Sequence, residues 1–377
     1  MQVSGKPEIV MVVEATEAHP RHSCGDMVEL KDGSLFMAKM EIFKSSDLRH
    51  AADDEAKSDI VGIVSRDGGR TWGDHRTLIK CGANDTAAYY PGLLRLKNGD
   101  ILFRHAMFHR FVYGDPPNLS GFVCRSQDEC RTFSDPVTVL DKQAELSWSC
   151  GDIRQLSTGR IVIPTLKIVG YEHQDDGGDH CSCGVSYSDD DGQTWGKCVS
   201  FVDLPMRGAM EPKVEELKDG RLLMVMRTEL GSVFKSCSED GGRTWSKPQT
   251  TGLRAPESCP GLRRIPQTGD LVLIWNHSLY DPDFDHCGVR SPLSVAISKD
   301  EGETWGQIKN IETDPEWEFT NPVTYVTSEG NLLVAYEASK YESLTGPGHG
   351  NTGKTGRVGR HRMHLKLAIV DLDWLYA

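Results

Sequence analysis

The chain has 377 residues, 38% of them hydrophobic, with 42 basic against 55 acidic residues and a formal net charge of -13. That balance excludes a general nucleic-acid or anionic-membrane surface, and no apolar run approaches the ~18–20 residues needed to cross a bilayer. Eleven cysteines form no even framework, and the close pair Cys181 and Cys183 does not fit zinc spacing, so they read as reduced, buried thiols without metal or other cofactor.

The N-terminal stretch, MQVSGKPEIVMVVEATEAHP, has no basic start followed by an apolar core. With the reduced thiols this points to the cytoplasm, or to a secreted or periplasmic setting where a leader has been removed. From residue 27 onward, one pattern recurs six times: apolar strand, glycine turn, apolar strand. The copies cover residues 27–40, 93–108, 153–168, 213–228, 262–277 and 322–339. Their turn glycines are Gly33, Gly99, Gly159, Gly220, Gly269 and Gly330. Asp-Gly, Asn-Gly and Thr-Gly between short β-rich runs predict hairpins, because glycine supplies a positive φ.

A second motif follows each of the first five hairpins. Ser-x-Asp-x-Gly-x-Thr-Trp occurs at Ser65–Trp72, Ser188–Trp195, Ser238–Trp245 and Ser298–Trp305, and in worn form at Ser126–Phe133, with Cys130 and Phe133 replacing glycine and tryptophan. Its aspartate suits turn N–H groups, its glycine a left-handed turn and its tryptophan a buried apolar contact. These are scaffold roles, and the pattern lacks the oxygen ligands of a calcium loop. The motif joins a third strand to a fourth. Four strands in each of six units predict an all-β, six-bladed β-propeller, with residues 1–377 as one domain. The sixth unit ends in HLKLAIVDLDWLYA (364–377), read as a strand, and residues 9–15 are expected to pair with it and close the ring.

The repeated motif resembles the Asp-box, or bacterial neuraminidase repeat, of the sialidase superfamily, and the resemblance extends over essentially the whole chain. It implies a glycan-cleaving site at one end of the central channel. Met210–Arg227 looks like the sialidase segment in which a glutamate opens one strand and an arginine ends the next. By that resemblance Glu211 would polarise a catalytic tyrosine, and Arg227 would belong to an arginine triad gripping the substrate carboxylate. Arg290, leading into residues 291–298, would be a second member. The family's Arg-Ile-Pro motif is replaced by Arg21-His22-Ser23, where Arg21 stands two residues from the aligned position. The nucleophilic tyrosine's position falls on Asn321, and Tyr325 reads as packing. The general acid falls within residues 45–59, where Asp54 fits best and Asp47, Asp53 and Asp59 are rivals.

Position in the repeat adds further candidates. Asp26, Tyr90 and Asp152 open the first three hairpins. Arg104 and His105 end the second, Asn276 and His277 the fifth, and Glu337 the sixth. Asp152 and His105 are acid–base candidates, and His22 is another histidine worth testing. Arg104, Asn276, His277 and Asn321 are substrate-binding candidates. The Gly-, Arg- and His-rich loop 345–364 is placed near the channel mouth, where Arg357, Arg360 or Arg362 could supply a third arginine.

The reading that follows is an exo-sialidase-like glycoside hydrolase removing a terminal acidic sugar from glycans. Glu211 and Asp54 would handle protons, and without the tyrosine, water would attack directly with inversion. Two alternatives stay open: a hydrolase or lyase acting on a uronic-acid glycan, and a propeller that binds glycans without catalysis.

Overall fold

In a computed structural model, residues 5–44, 56–110, 118–143, 145–149, 152–168, 180–341, 343–347, 355–358 and 362–377 are described. They build six antiparallel sheets arranged as propeller blades. Blade 1 holds Arg21–Glu29, Leu35–Ile42, Ser58–Ser65 and Gly73–Ile79. Blade 2 holds Ala87–Arg95, Ile101–Arg110, Asn118–Ser126 and Val137–Gln143. In blade 3 the innermost strand is broken into Leu146–Trp148 and Arg154–Gln155, both paired with Ile161–Ile168, followed by Cys181–Ser188 and Gly196–Lys197. Blade 4 holds Met210–Glu216, Leu222–Arg227, Ser232–Ser238 and Gln249–Arg254. Blade 5 holds Gly261–Arg264, Leu271–Asn276, Leu293–Ser298 and Gly306–Glu312. Blade 6 holds Trp317–Val326, Leu332–Lys340 and His364–Val370, completed by the N-terminal strand Glu8–Val13.

The predicted closure is therefore present: Ile9 faces Ala368 and Val10 faces Leu367 across the first and last strands. The chain end differs from the expected strand. After Val370 the backbone turns into a short helix, Leu372–Tyr376, capped by the Asp371 side chain, which accepts the Asp373 N–H. Apolar clusters fill the seams between neighbouring blades. Leu333 and Leu367 of blade 6 meet Met27 and Met37 of blade 1, and Val214 and Met224 of blade 4 meet Val162 and Val185 of blade 3.

Each Asp-box closes on itself. In the first, Asp67 accepts the Thr71 N–H at 2.8 Å and the Thr71 hydroxyl at 2.6 Å, while Ser65 Oγ accepts the Gly69 N–H at 2.9 Å. The same bonds recur around Asp128, Asp190, Asp240 and Asp300. The box glycine has two reasons to be glycine. Gly242 has a φ of +90°, and an added Cβ would lie 2.7 Å from Val185 of the preceding blade. The boxes thus hold neighbouring blades together, and their aspartates are spent on backbone and threonine.

Inside the ring, charges neutralise one another. Arg154 bonds Asp152 at 2.5 Å and Glu215 at 3.1 Å, and Asp26 accepts the Leu93 N–H at 3.1 Å. Asp26, Asp152, Lys213 and Arg263 line a common channel cavity. Burial raises the Asp26 pKa, against the pull of Arg263.

Candidate active site

The site is set by β-bulges on the innermost strands. Pairing slips between Met210 and Lys213 in blade 4 and between Thr320 and Val323 in blade 6. The residue left over in each case precedes a proline and has a left-handed backbone: Glu211 at φ +47° and Asn321 at φ +52°. Such a conformation is costly for a residue with a Cβ and is characteristic of places where a side chain must be aimed. Tyr90 occupies the same place in blade 2, at φ +54°, but packs edge-on against Tyr89 and Phe108.

Glu211 Oε2 accepts from Arg227 Nη1 at 3.0 Å. The other arm of the same guanidinium, Nη2, reaches Glu257 Oε1 at 2.8 Å. Glu257 also binds Arg207 Nη1 at 2.5 Å and His286 Nδ1 at 3.1 Å, and its backbone oxygen accepts from Arg290 Nη2 at 2.8 Å. Arg290 Nη1 continues to Thr320 Oγ1 at 3.2 Å, which contacts Asn321 Oδ1 at 3.3 Å. Asn321 Nδ2 donates to Glu337 Oε1 at 2.8 Å, and Glu337 Oε2 holds Arg21 Nε at 3.0 Å. Ser23 Oγ also donates to Glu337. One unbroken network therefore joins Arg21, Arg290 and Arg227 across blades 1, 6, 5 and 4.

The electrostatics follow from this crowding. Burial works to raise the Glu211 pKa, but Arg227, Arg290 and Lys213 outweigh it and leave the carboxyl below its usual range. The same contest holds Glu257 well below that range, with Arg227 and Arg207 overcoming burial. Both carboxylates are ionised near neutral pH, and so are poor proton donors there.

The network contains Glu211, Arg227, Arg290, Arg21 and Asn321 of the expected residues. Asn276 supports it from behind: it is fully buried, and its amide donates to the carbonyls of Arg290 and Phe319, each at 3.0 Å. These bonds hold the Arg290 backbone in place.

The other described candidates lie outside this network. Arg104 is completely buried, donating to Ser149 O at 2.7 Å with its guanidinium over the Trp148 ring, so it braces blade 2 against blade 3. His105 stacks on Phe103 and lies against Phe122, and burial drives its pKa down to about 4. It is a neutral packing residue near pH 7. Asp152 is engaged by Arg154 and by the Val214 N–H at 3.0 Å, which gives it a structural task within the channel. His277 rests on Trp275, with its pKa lowered by burial and by Arg254. His22 is buried beside Lys39 at 3.2 Å, and burial and that charge lower its pKa to about 3. Tyr325 packs as expected, its hydroxyl accepting the Glu29 N–H at 3.1 Å. Asp59 accepts the Cys81 N–H at 2.8 Å. Asp47, Asp53, Asp54 and Arg360, and the side chain of Arg357, lie outside what is described. Arg362 is exposed. The hairpin of Ser343–Pro347 and Thr355–Val358 comes against the Asp285–Cys287 turn, which puts part of the last loop beside the site.

Sequence reasoning missed Arg207, Glu257 and His286. They lie between blades or in the 277–292 connection, where the repeat assigns no position. The remaining signal was chemical: an acid, a base and an arginine in loops on the same side of the ring as Glu211.

Known proteins agree with this architecture. The family model of the BNR repeat-like domain matches residues 107–334, more than half of the chain. The chain belongs to that family, within the sialidase superfamily. It is 24% identical over 305 residues to a sialidase of Bacteroides fragilis (strain YCH46), covering 74% of this chain and 54% of that one. It is 25% identical over 377 residues to a sialidase of Micromonospora viridifaciens, covering 90% and 52%. The chain thus spans about half the length of these curated relatives. Among solved structures, the intramolecular trans-sialidase of Ruminococcus gnavus, in complex with oseltamivir carboxylate, superposes with a TM-score of 0.70 at 15% identity over 96% of both chains. A likeness at that identity shows the shared fold. No helix of the described residues is long and apolar enough to cross a membrane.

Proposed function

We propose that residues 1–377 form one catalytic unit that removes a terminal acidic sugar, sialic acid foremost, from glycans by direct attack of water. The observation that carries this reading is the gathering of four oriented arginines in one network. Arg21, Arg207, Arg227 and Arg290 are gathered around Glu211, Glu257 and Glu337, with Glu229 accepting the Arg207 N–H at 3.4 Å, in a protein of net charge -13. Arginine stays charged and presents a planar fork to a carboxylate, so an acidic sugar suits this cluster. The sialidase relatives favour the same class of substrate.

The ionised Glu211 suits stabilisation of positive charge developing at the anomeric carbon. An amide is no nucleophile, and Asn321 stands where the superfamily resemblance calls for a tyrosine. Water attacking in one step inverts the anomeric configuration. Protonation of the leaving oxygen falls to an acid of the 45–59 stretch, with Asp54 the choice by spacing. The test is turnover of a panel of sialosides followed by anomer-resolved proton NMR. The expected result is free sialic acid whose first-formed anomer is inverted. Absence of release from every linkage would overturn the substrate, net retention would overturn the mechanism, and an unsaturated, ultraviolet-absorbing product would reveal a lyase.

A further inference from the structure

We infer that His286, oriented by Glu257, is the group that takes the proton from the attacking water; the inference rests on the hydrolytic reading above. Three observations converge on it. First, His286 Nδ1 lies 3.1 Å from Glu257 Oε2, a carboxylate that is 3% exposed and already ionised. The shorter contact, to the carboxylate, favours a proton on Nδ1, which makes Arg227 Nη2 at 3.4 Å a neighbouring charge and not a hydrogen-bond donor to that nitrogen. The proton on Nδ1 leaves Nε2 as the ring's lone-pair nitrogen, the form a base needs.

Second, the imidazole belongs to the same cluster as the proposed sugar-binding groups. Arg227 touches Glu211 with one arm, and with the other it meets Glu257 and approaches His286 Nδ1 at 3.4 Å. Glu211 and His286 therefore flank a single guanidinium. Third, His286 has a left-handed backbone, at φ +54°, within the short Asp285–Cys287 turn. The turn is tied down, since the Glu257 N–H donates to His286 O at 2.7 Å and the Cys287 N–H to Phe284 O at 2.9 Å. A non-glycine residue held in this conformation by backbone bonds has its side chain fixed in direction.

Glu257 is then a positioning residue with every polar atom engaged. Its carboxylate sets the imidazole tautomer and holds Arg207 and Arg227, and its carbonyl holds Arg290. Glu211 is a weaker choice of base, because its flanking arginines depress its proton affinity. In the proposed step, the water oxygen bonds to the anomeric carbon as Nε2 accepts one water proton. The bond from the anomeric carbon to the leaving oxygen breaks with its electron pair, and that oxygen is protonated by the acid. The imidazolium returns its proton to solvent. Among the described contacts, the charged groups within reach of His286 Nδ1 include Glu257 and Arg227.

The experiment compares wild type, His286→Asn, His286→Gln and Glu257→Gln on the 4-nitrophenyl α-glycoside of sialic acid across pH 4–9. Free sialic acid binding is measured alongside by calorimetry. For the His286 variants we expect kcat to fall by about 10²–10⁴-fold, with sugar affinity kept within threefold. The acidic limb of the wild-type rate profile disappears, and added azide restores turnover as an inverted glycosyl azide. Glu257→Gln moves the same limb. A His286 variant that keeps the limb and the rate, or one that loses affinity in step with rate and is not rescued by azide, overturns the assignment while leaving hydrolysis standing. A wild-type protein that cleaves no acidic glycoside overturns both.

Discussion

Arg227 and Arg290 illustrate how a residue's role depends on what surrounds its fork. Each is bound on its flanks by carboxylate, carbonyl or hydroxyl oxygens, so its orientation is set before any ligand arrives. Lysine carries the charge without the fork. Arg290→Lys is therefore expected to raise KM for a sialoside at least tenfold while the melting temperature moves little, as steady-state kinetics and calorimetry would show. His105 makes the opposite case. With its pKa near 4 and aromatic rings on both sides, it is neutral through the physiological range. His105→Leu should leave kcat/KM and its pH profile within about threefold of wild type, and a vanished limb would return His105 to the chemistry. At this scale the sequence was partly legible. The 16-residue separation of Glu211 from Arg227 matches that of Asn321 from Glu337, and both pairs end in contact. Arg104 and His105 were expected to end a second strand as Arg227 does, but they fall in the middle of Ile101–Arg110 and are buried. The repeat tells where a second strand begins and not how far it runs, which is ten residues in blade 2 and six in blade 4.

Among the elements, the Asp-box is the most regular, and its chemistry is internal. Asp67, Asp128 and Asp190 have pKa values lowered from 3.8 to about 2, first through the threonine hydroxyl and N–H each one accepts. A carboxyl depressed by folding stabilises the protein fully above its unfolded value and loses that contribution as pH falls through the folded one. The melting temperature should therefore drop steeply between about pH 4 and pH 2, and Asp67→Ala should flatten that drop while lowering stability near neutrality. Melts followed by circular dichroism at a series of pH values would check this, and an unchanged acid profile would contradict it. Turnover at pH 7 should be unaffected by the same substitution. The boxes and the glycine turns were readable because their bonds are local, between residues two to four apart. Glu257 was not readable, because its partners Arg207, Arg227 and His286 lie 50, 30 and 29 residues away, and Glu257, Arg207 and His286 stand outside the repeated strands.

For the molecule as a whole, one architectural device positions the site. Six blades close into a ring when the N-terminal strand completes the last sheet, and the bulged inner strands then bring their aimed residues to one end of the channel. Deleting residues 1–14 would leave His364–Val370 as an unpaired edge. The expected consequence is a lower melting temperature together with aggregation visible by light scattering, and a truncated chain that stays monomeric and equally stable would contradict it. The closed ring also explains how an acidic protein can gather arginines from several blades at one place. Four arginines are concentrated in one network together with the glutamates that orient them. The most direct test of that cluster is a calorimetric titration of the wild-type protein with sialic acid and, in parallel, with its methyl ester. The account predicts that the acid binds at least a hundredfold more tightly than the ester, since esterification removes the one charge that the arginines are arranged to meet. Equal affinity for the two would contradict it.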